Sequence, residues 1–421
     1  MRRLIAEATD YLEGNISVSG AKNAALPIIT AALLGEGGSK LSRIPDLKDV
    51  NNLINILSNL GAEVNFTDSE LELNTDGIDK YSTDSDLARK MRASYYTLGA
   101  LLGRYGQACT VLPGGCEIGD RPIDLHLKGF SALGADVELD HGLVKLEADR
   151  LKGTEIYLDY PSVGATINIM LAAVLADGET VIENVAREPE IIDLANYLNI
   201  MGAEITGAGT DIIKITGVNS LNGTDYTIIP DRIEAGTYMM TVAAVGGDVV
   251  IKNVLVEHVR PLIAKLKEMG VEIIEGIDQV RVKSEGCLSG TDIKTMPYPG
   301  FPTDMQAQFM ALLTQATQEN LVIETVFERR FGHVDELRRM GAQIKVDGRS
   351  AVVARTDLEG AQVKATDLRA GAALIIAGLT AGGQTEIQNI YHIERGYEDI
   401  TDKLKGIGAN IELVEEYNCL S

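Results

Sequence analysis

Cysteine is scarce in this chain of 421 residues. Cys109, Cys116, Cys287 and Cys419 are too few and too irregularly spaced to frame a disulfide-stapled domain. There is no C-x-x-C pair and no H-E-x-x-H helix, so no metal site is expected. Long apolar runs are missing as well. The longest, around Ala370 to Thr380, falls short of the ~20 residues a membrane helix needs. Met1-Arg2-Arg3 is followed almost at once by Glu7, Asp10 and Glu13, which leaves no apolar segment for a secretion signal. Positive charge is in deficit: 38 Lys and Arg face 61 Asp and Glu, a net charge of −23. That balance opposes general binding to nucleic acid or to an anionic membrane, since both need a positive field. The expectation is a cytoplasmic protein with reduced thiols, and no obligate protein partner is evident. Neither G-x-x-x-x-G-K-[ST] nor a helix-opening G-x-G-x-x-G occurs, so phosphate-loop hydrolysis and nicotinamide chemistry are disfavoured and no cofactor is expected.

What the chain does have is a repeat. An apolar residue, a glycine, Ala or Val, any residue and another apolar residue recur six times. The six are Leu60-Gly61-Ala62-Glu63-Val64, Leu133-Gly134-Ala135-Asp136-Val137, Met201-Gly202-Ala203-Glu204-Ile205, Met269-Gly270-Val271-Glu272-Ile273, Met340-Gly341-Ala342-Gln343-Ile344 and Ile407-Gly408-Ala409-Asn410-Ile411. Their spacing is near-constant at about 70 residues, the signature of repeated structural units. Each glycine follows a stretch of helical apolar spacing, such as Val259, Leu262, Ile263, Leu266 and Met269, and is placed to end that helix in the left-handed region. Strand and hairpin signals follow, as in Ile344 to Val346, Asp347-Gly348 and Ala351 to Ala354. Another helical stretch opens each copy, near Ala21, Arg92, Ser162, Ile233, Pro302 and Asp367. The copies therefore read β-α-β-α-β-β, and the fold class is α/β. Six copies group as two domains of three, 21–229 and 1–20 plus 230–421. The second is discontinuous because the strands before Ala21 are left over and would complete the last copy. A cleft between two similar halves is a common place for a ligand.

Individual copies depart from the pattern. The second carries the loop Pro113-Gly114-Gly115-Cys116-Glu117-Ile118-Gly119-Asp120-Arg121-Pro122, with a cysteine near an arginine. For a lone cysteine the ordinary reading is an incidental thiol. The first copy opens its helix with Gly20-Ala21-Lys22-Asn23. A lysine there can join backbone N–H groups in holding a phosphate, or simply be a solvated helix-end charge. Asp304 falls in the first turn of an apolar helix, where an acid suits the helix dipole, and Asp367 reads the same way. Arg369 does not, because a cation is unfavourable there. Asp231 and Arg232 repeat the acid-plus-arginine pattern, and Arg330 and Arg395 lie on loops before later helices.

Taken in order along the chain, these segments resemble the UDP-N-acetylglucosamine 1-carboxyvinyltransferases, enolpyruvyl transferases of peptidoglycan precursor synthesis. The resemblance rests on Ser19 to Ala24, Pro113 to Cys116, Arg121 to His126, Ser162 to Thr166, Arg187 to Glu190, Pro230 to Glu234, Phe301 to Asp304, Asp367 to Arg369 and Glu394 to Tyr397. It implies two inside-out α/β barrel domains of three repeats each. It also implies transfer of the enolpyruvyl group of phosphoenolpyruvate to the 3-hydroxyl of UDP-N-acetylglucosamine, with release of phosphate by addition and elimination. Cys116 would supply an acid or form a covalent adduct, the basis of the family's sensitivity to fosfomycin. Asp304 would be the base for the sugar hydroxyl, and Lys22 and Arg395 complete the implied catalytic set. By the same resemblance Lys22, Asn23, Arg121, Arg369 and Arg395 hold phosphoenolpyruvate. The sugar nucleotide would lie on Arg92, Arg121, Pro122, Ile123, Asp124 and Leu125, on Ser162, Val163 and Gly164, and on Asp304 and Val326. Glu188, Asp231, Arg330 and Asp367 would line the cleft. Rival expectations are an enolpyruvyl transferase for another acceptor such as shikimate 3-phosphate, and a non-catalytic sugar-nucleotide-binding paralogue.

Overall fold

The computed structural model describes residues 2–112 and 123–415, apart from the side chains of Lys90 and Arg92. These residues form two compact units, one within Gly20–Gly115 and Arg121–Ile229, the other within Met1–Ser19 and Pro230–Ser421. We call them the first and second unit.

The third copy shows the plan. Strand Glu155–Tyr157 runs parallel to Glu179–Glu183, which pairs antiparallel with Ile212–Thr216, which pairs antiparallel with Glu204–Thr206. Parallel neighbours need a long crossover, and helix Val163–Ala173 provides it. A second helix, Pro189–Met201, leads into the hairpin. The same strand order recurs in copies one, four, five and six. In copy two the opening strand shrinks to a single bridge between Ser82 and Cys109, leaving a three-stranded sheet.

The leftover strands divide in a way the repeat pattern did not indicate. Arg2–Glu7 does complete the last copy, between Gln384–Gln388 and Ile411–Glu415. Leu12–Ser17, however, runs parallel to Gly247–Lys252 and opens copy four. The strand just before Pro230 in sequence, Asp225–Thr227, instead runs parallel to Gly38–Ser42 and opens copy one. In the first unit, then, the opening strand comes from the far end of that unit's own sequence. This pairing covers a sheet edge that would otherwise be left as a template for association.

The opening helices form the interior. In the second unit Arg232–Val245, Gln306–Leu313 and Leu368–Thr380 pack on one another; in the first, Tyr96–Tyr105 packs on both Lys22–Ala31 and Val163–Ala173. Every residue from Arg369 to Leu379 is buried. A helix apolar all round belongs in a core, and the sheets wrap outside these helices. A polar side chain on such a helix is therefore conspicuous. No helix among the described residues is long and apolar enough to cross a membrane.

All six repeat glycines have positive φ, between 90° and 112°. Two of them make a sharp comparison. A Cβ on Gly134 would meet nothing within 4 Å, whereas one on Gly61 would lie 2.4 Å from the Gly77 carbonyl oxygen. Gly134→Ala is expected to cost about 1 kcal/mol, from its backbone conformation alone. Gly61→Ala should cost clearly more, because backbone must also shift. Denaturation midpoints of the two variants check the order, and equal midpoints would contradict it.

A buried carboxylate secures the end of the first unit. Asp193 Oδ1 accepts from the Tyr226 hydroxyl at 2.6 Å and Oδ2 from the Ile229 N–H at 3.2 Å. Burial pushes Asp193 up to about 6, against the opposing effect of both hydrogen bonds. Because the folded value lies above the unfolded 3.8, the folded state binds the extra proton between them. This group's contribution to stability is therefore full below about pH 4 and is lost as pH rises towards 6. Asp193→Asn should lack that slope, so that the difference between wild-type and variant unfolding midpoints changes between about pH 4 and 6. An unchanged slope would exclude Asp193 as its source.

Candidate active site

In the second unit the polar exceptions converge on Asp304. This residue lies in the one-turn segment Thr303–Met305 that leads into helix Gln306–Leu313. Its Oδ1 accepts from Arg330 Nη2 at 2.8 Å and its Oδ2 from Arg369 Nη2 at 3.2 Å. The arginine side chains are 4% and 5% exposed and the carboxylate 29%, so the cations are buried and the anion is the outward member. Each arginine also keeps a buried donor, Arg330 Nε and Arg369 Nη1, with no partner among the described residues. Two buried guanidiniums with spare donors are equipped for an anion, since the planar fork suits carboxylate and phosphate.

The surroundings preserve that charge. Burial works against the Arg369 cation, but Tyr397, Asp304 and Asp231 outweigh it and raise its pKa. His333, fully buried, is pushed down to about 4 by burial, with Arg330 adding and Asp367 opposing. It is thus a neutral neighbour at neutral pH. Asp367 is not a first-turn residue as expected, and Asp231 shares its position. Each stands one residue before its helix and caps it: Asp231 accepts from the N–H groups of Ile233 and Glu234, Asp367 from those of Arg369 and Ala370. The Asp367 cap sets the start of the helix that carries Arg369. Arg395 ends a 3-10 segment, Ile390–Arg395, rather than sitting on an open loop.

Val326 follows a turn held by buried Glu324, whose Oε1 accepts from the N–H groups of Val326 and Phe327. Glu324 Oε2 accepts from Thr303 Oγ1 at 2.9 Å, which ties the Val326 turn to the segment of Asp304. The sequence reading did not single out Glu324 or His333. A buried acid directly after a strand was the available signal for the first.

The first unit holds a second group. Lys22, the first residue of helix Lys22–Ala31, pairs with Asp49 Oδ2 at 3.2 Å, and the two side chains are 12% and 5% exposed. It is not a solvated helix-end charge. Asp49 was missed, although an acid in the first turn of helix Lys48–Leu60 was visible in the sequence. Asn23 is half-buried on the next position. Ser162 caps helix Val163–Ala173, its Oγ accepting from the Ala165 N–H. A Cβ on Gly164 would meet His126 and the Tyr95 hydroxyl at 3.0–3.2 Å, so only glycine fits without a shift. Buried His126 comes from helix Asp124–Ala132 and has its Nδ1 2.8 Å from Asn168 Nδ2. The Asn168 Oδ1 accepts from the Gly99 N–H, so its amide donates to the imidazole. The Asn168–His126 link joins the segment of Ile123, Asp124 and Leu125 to that of Ser162, Val163 and Gly164. Asn168, polar inside an apolar helix, was the sequence signal for this network. Glu188 directly precedes helix Pro189–Met201. Cys116, Arg121 and Pro122 lie outside the described residues, as does the side chain of Arg92.

A family model described as EPSP synthase (3-phosphoshikimate 1-carboxyvinyltransferase) matches residues 6–404. The UDP-N-acetylglucosamine 1-carboxyvinyltransferase of Halothermothrix orenii is 63% identical over 415 residues, 99% of this chain and all of that protein. The chain belongs to the UDP-N-acetylglucosamine 1-carboxyvinyltransferase family. Another relative within this family, UDP-N-acetylglucosamine 1-carboxyvinyltransferase 2 of Carboxydothermus hydrogenoformans, is 56% identical over 419 residues, 99% of this chain and 100% of that one. Among solved structures, the enolpyruvyl transferase NikO of Streptomyces tendae superposes with a TM-score of 0.89 at 26% identity, covering 98% of both chains. An EPSP synthase of Acinetobacter baumannii gives 0.75 at 18% identity, over 98% of this chain and 100% of that one, a likeness of fold alone. The carboxyvinyltransferase fold, two inside-out units of three repeats, is therefore the fold of this chain.

Proposed function

We propose that this protein transfers the enolpyruvyl group of phosphoenolpyruvate to the 3-hydroxyl of UDP-N-acetylglucosamine and releases phosphate, the first committed step of peptidoglycan precursor synthesis. The observation that carries this reading is the 63% identity, end to end, with a relative named for that acceptor. It acts on small molecules, and the cytoplasmic setting expected from the sequence goes with this reading.

The reaction has two halves. In the addition, the sugar oxygen bonds to C2 of phosphoenolpyruvate, a proton joins C3, and the hydroxyl proton leaves. In the elimination, C3 gives up a proton and the C2–O bond to phosphate breaks. Asp304 is the base for the hydroxyl. In the resting geometry its two oxygens accept from Arg330 and Arg369, so both are engaged before substrate arrives. An incoming phosphoenolpyruvate offers those guanidiniums another anion. Once they turn to it, an Asp304 oxygen is released to take the hydroxyl proton as the acceptor arrives. Cys116 contributes the acid or the adduct, and Lys22, Asn23, Arg121 and Arg395 hold the anion. The acceptor nucleotide lies along Arg92, Arg121, Pro122, Ile123, Asp124, Leu125 and Ser162 to Gly164, with Val326 by the sugar.

Phosphate release measured with both substrates tests the reading. Release that requires phosphoenolpyruvate and UDP-N-acetylglucosamine together supports it. Release with shikimate 3-phosphate but not with the sugar nucleotide would replace the acceptor.

A further inference from the structure

Three polar side chains in the core of the second unit have no task in the reaction just described. Thr237 comes from helix Arg232–Val245, Gln308 from helix Gln306–Leu313, and Tyr397 from just past Ile390–Arg395. Copies four, five and six thus contribute one each. All three are buried, where an apolar side chain would be the ordinary occupant.

The hydrogen bonds fix the direction of the hydroxyl protons, and Gln308 Nε2 lies 3.3 Å from Thr237 Oγ1 as well as near two closer acceptors. Thr237 Oγ1 donates to the Ile233 carbonyl at 2.9 Å, so towards Tyr397 it can only accept. The Tyr397 hydroxyl, 2.8 Å away, therefore donates to Thr237. Gln308 Nε2 donates to the Tyr397 oxygen at 3.1 Å and to the Asp304 backbone carbonyl at 3.0 Å. One lone pair of the Tyr397 oxygen remains. Arg369 is the cation beside it, with its guanidinium carbon 5.5 Å from the Tyr397 ring centroid. Tyr397 also leads the groups that offset the burial of the Arg369 charge. The network thus ends on the Asp304 main chain at one side and on the Arg369 guanidinium at the other.

Its composition is costly for mere packing. Gln308 Oε1 is buried without a partner among the described residues. A methionine of similar length would fill the space without that penalty. What methionine lacks is the pair of donors that bridges Asp304 and Tyr397.

We propose that Thr237, Gln308 and Tyr397 are positioning residues that fix the Asp304 backbone and the Arg369 guanidinium relative to each other, so that the carboxylate meets the acceptor hydroxyl while the guanidinium meets the phosphoenolpyruvate anion. This rests on the enolpyruvyl-transfer reading. Tyr397→Phe keeps the ring and removes the oxygen that faces Arg369. The Michaelis constant for phosphoenolpyruvate should rise roughly tenfold, the size expected for losing one hydrogen-bonding group beside a charge. That for UDP-N-acetylglucosamine should stay within about twofold. Thr237→Val takes away the acceptor of the tyrosine proton and should act in the same direction, about threefold, while Thr237→Ser restores the wild-type value. A purely structural role would lower the unfolding temperature in Tyr397→Phe and Thr237→Val and leave the two Michaelis constants in their wild-type ratio, which overturns the proposal. Should Tyr397→Phe fail to fold, the valine and serine pair decides alone. If the wild type turns over with neither acceptor, the functional reading falls. The positioning claim is then judged by the thermal shift that inorganic phosphate induces in wild type and the Thr237 variants. A smaller shift in valine, restored in serine, supports it, and equal shifts overturn it.

Discussion

Asp304→Asn is expected to slow turnover by about 10²–10⁴-fold, the usual contribution of a positioned base, while the stabilisation of the protein by phosphate persists or grows. The second half follows from the geometry. Asparagine keeps the shape and one acceptor oxygen but removes the charge that Arg330 and Arg369 share. Two buried guanidiniums then stand without their anion, and breaking a buried ion pair from one side typically costs about 3–5 kcal/mol. Phosphate, supplied from solution, restores an anion, and any ligand that binds only the folded state stabilises it by mass action. Rate and unfolding temperature, each measured with and without phosphate, therefore separate two roles. Near wild-type turnover in Asp304→Asn would remove the base assignment and leave the family membership intact. A variant that loses both turnover and the phosphate response would assign Asp304 to building the anion site instead.

The same geometry explains why Arg369 sits where a sequence makes it look misplaced. A cation in the first turn of a helix opposes the helix dipole. Arg369 tolerates that position because the Asp367 cap satisfies the backbone N–H groups of its helix and Asp304 neutralises its side chain. The local rule is broken at the point where the proposed reaction needs a buried positive charge.

Much of the architecture was legible because it is repeated. The six glycines mark helix ends, and all six occupy the left-handed region that such ends require. The starts of the central helices were also visible, since apolar residues on every face leave no alternative to burial. Strand partnership was less accessible. Leu12–Ser17 and Asp225–Thr227 carry ordinary strand patterns, and nothing local says that each joins the sheet of a non-adjacent copy. That choice is made by ring closure, a property of three copies together. At the site, Asp304, Arg330 and Arg369 were each legible as an irregularity, yet their convergence was not, because 26 and 65 residues separate the arginines from the acid. Asp49, Glu324 and His333 were passed over for a different reason. Each has an unremarkable residue type at its position, and only burial beside a charged partner gives it a role.

The largest effect on stability is expected away from that site, from Lys403→Met. Glu234 is almost wholly buried. Its Oε2 accepts from the Ser19 N–H at 2.8 Å, and its Oε1 accepts from the Tyr238 hydroxyl at 2.6 Å and from Lys403 Nζ at 2.7 Å. Burial raises its pKa even though Lys403 and Tyr238 work to lower it. Methionine would keep most of the lysine stem's packing and delete the only cation on that carboxylate among the described residues. The variant should lose about 3–5 kcal/mol at neutral pH, the cost of an uncompensated buried charge. The loss should depend on pH with a definite sign. With the folded pKa of Glu234 raised further above its unfolded 4.5, the carboxyl is protonated in both states at low pH and the penalty disappears. It grows as pH rises from the unfolded value through the folded one and then levels off. Glu234→Gln combined with Lys403→Met should recover much of the stability at neutral pH, because removing both partners of a buried pair is far less costly than removing one. Unfolding midpoints of the single and double variants at acid and neutral pH make the comparison. A Lys403→Met penalty that is small, or the same at both pH values, would mean that Tyr238 and the Ser19 N–H alone suffice to hold the charge.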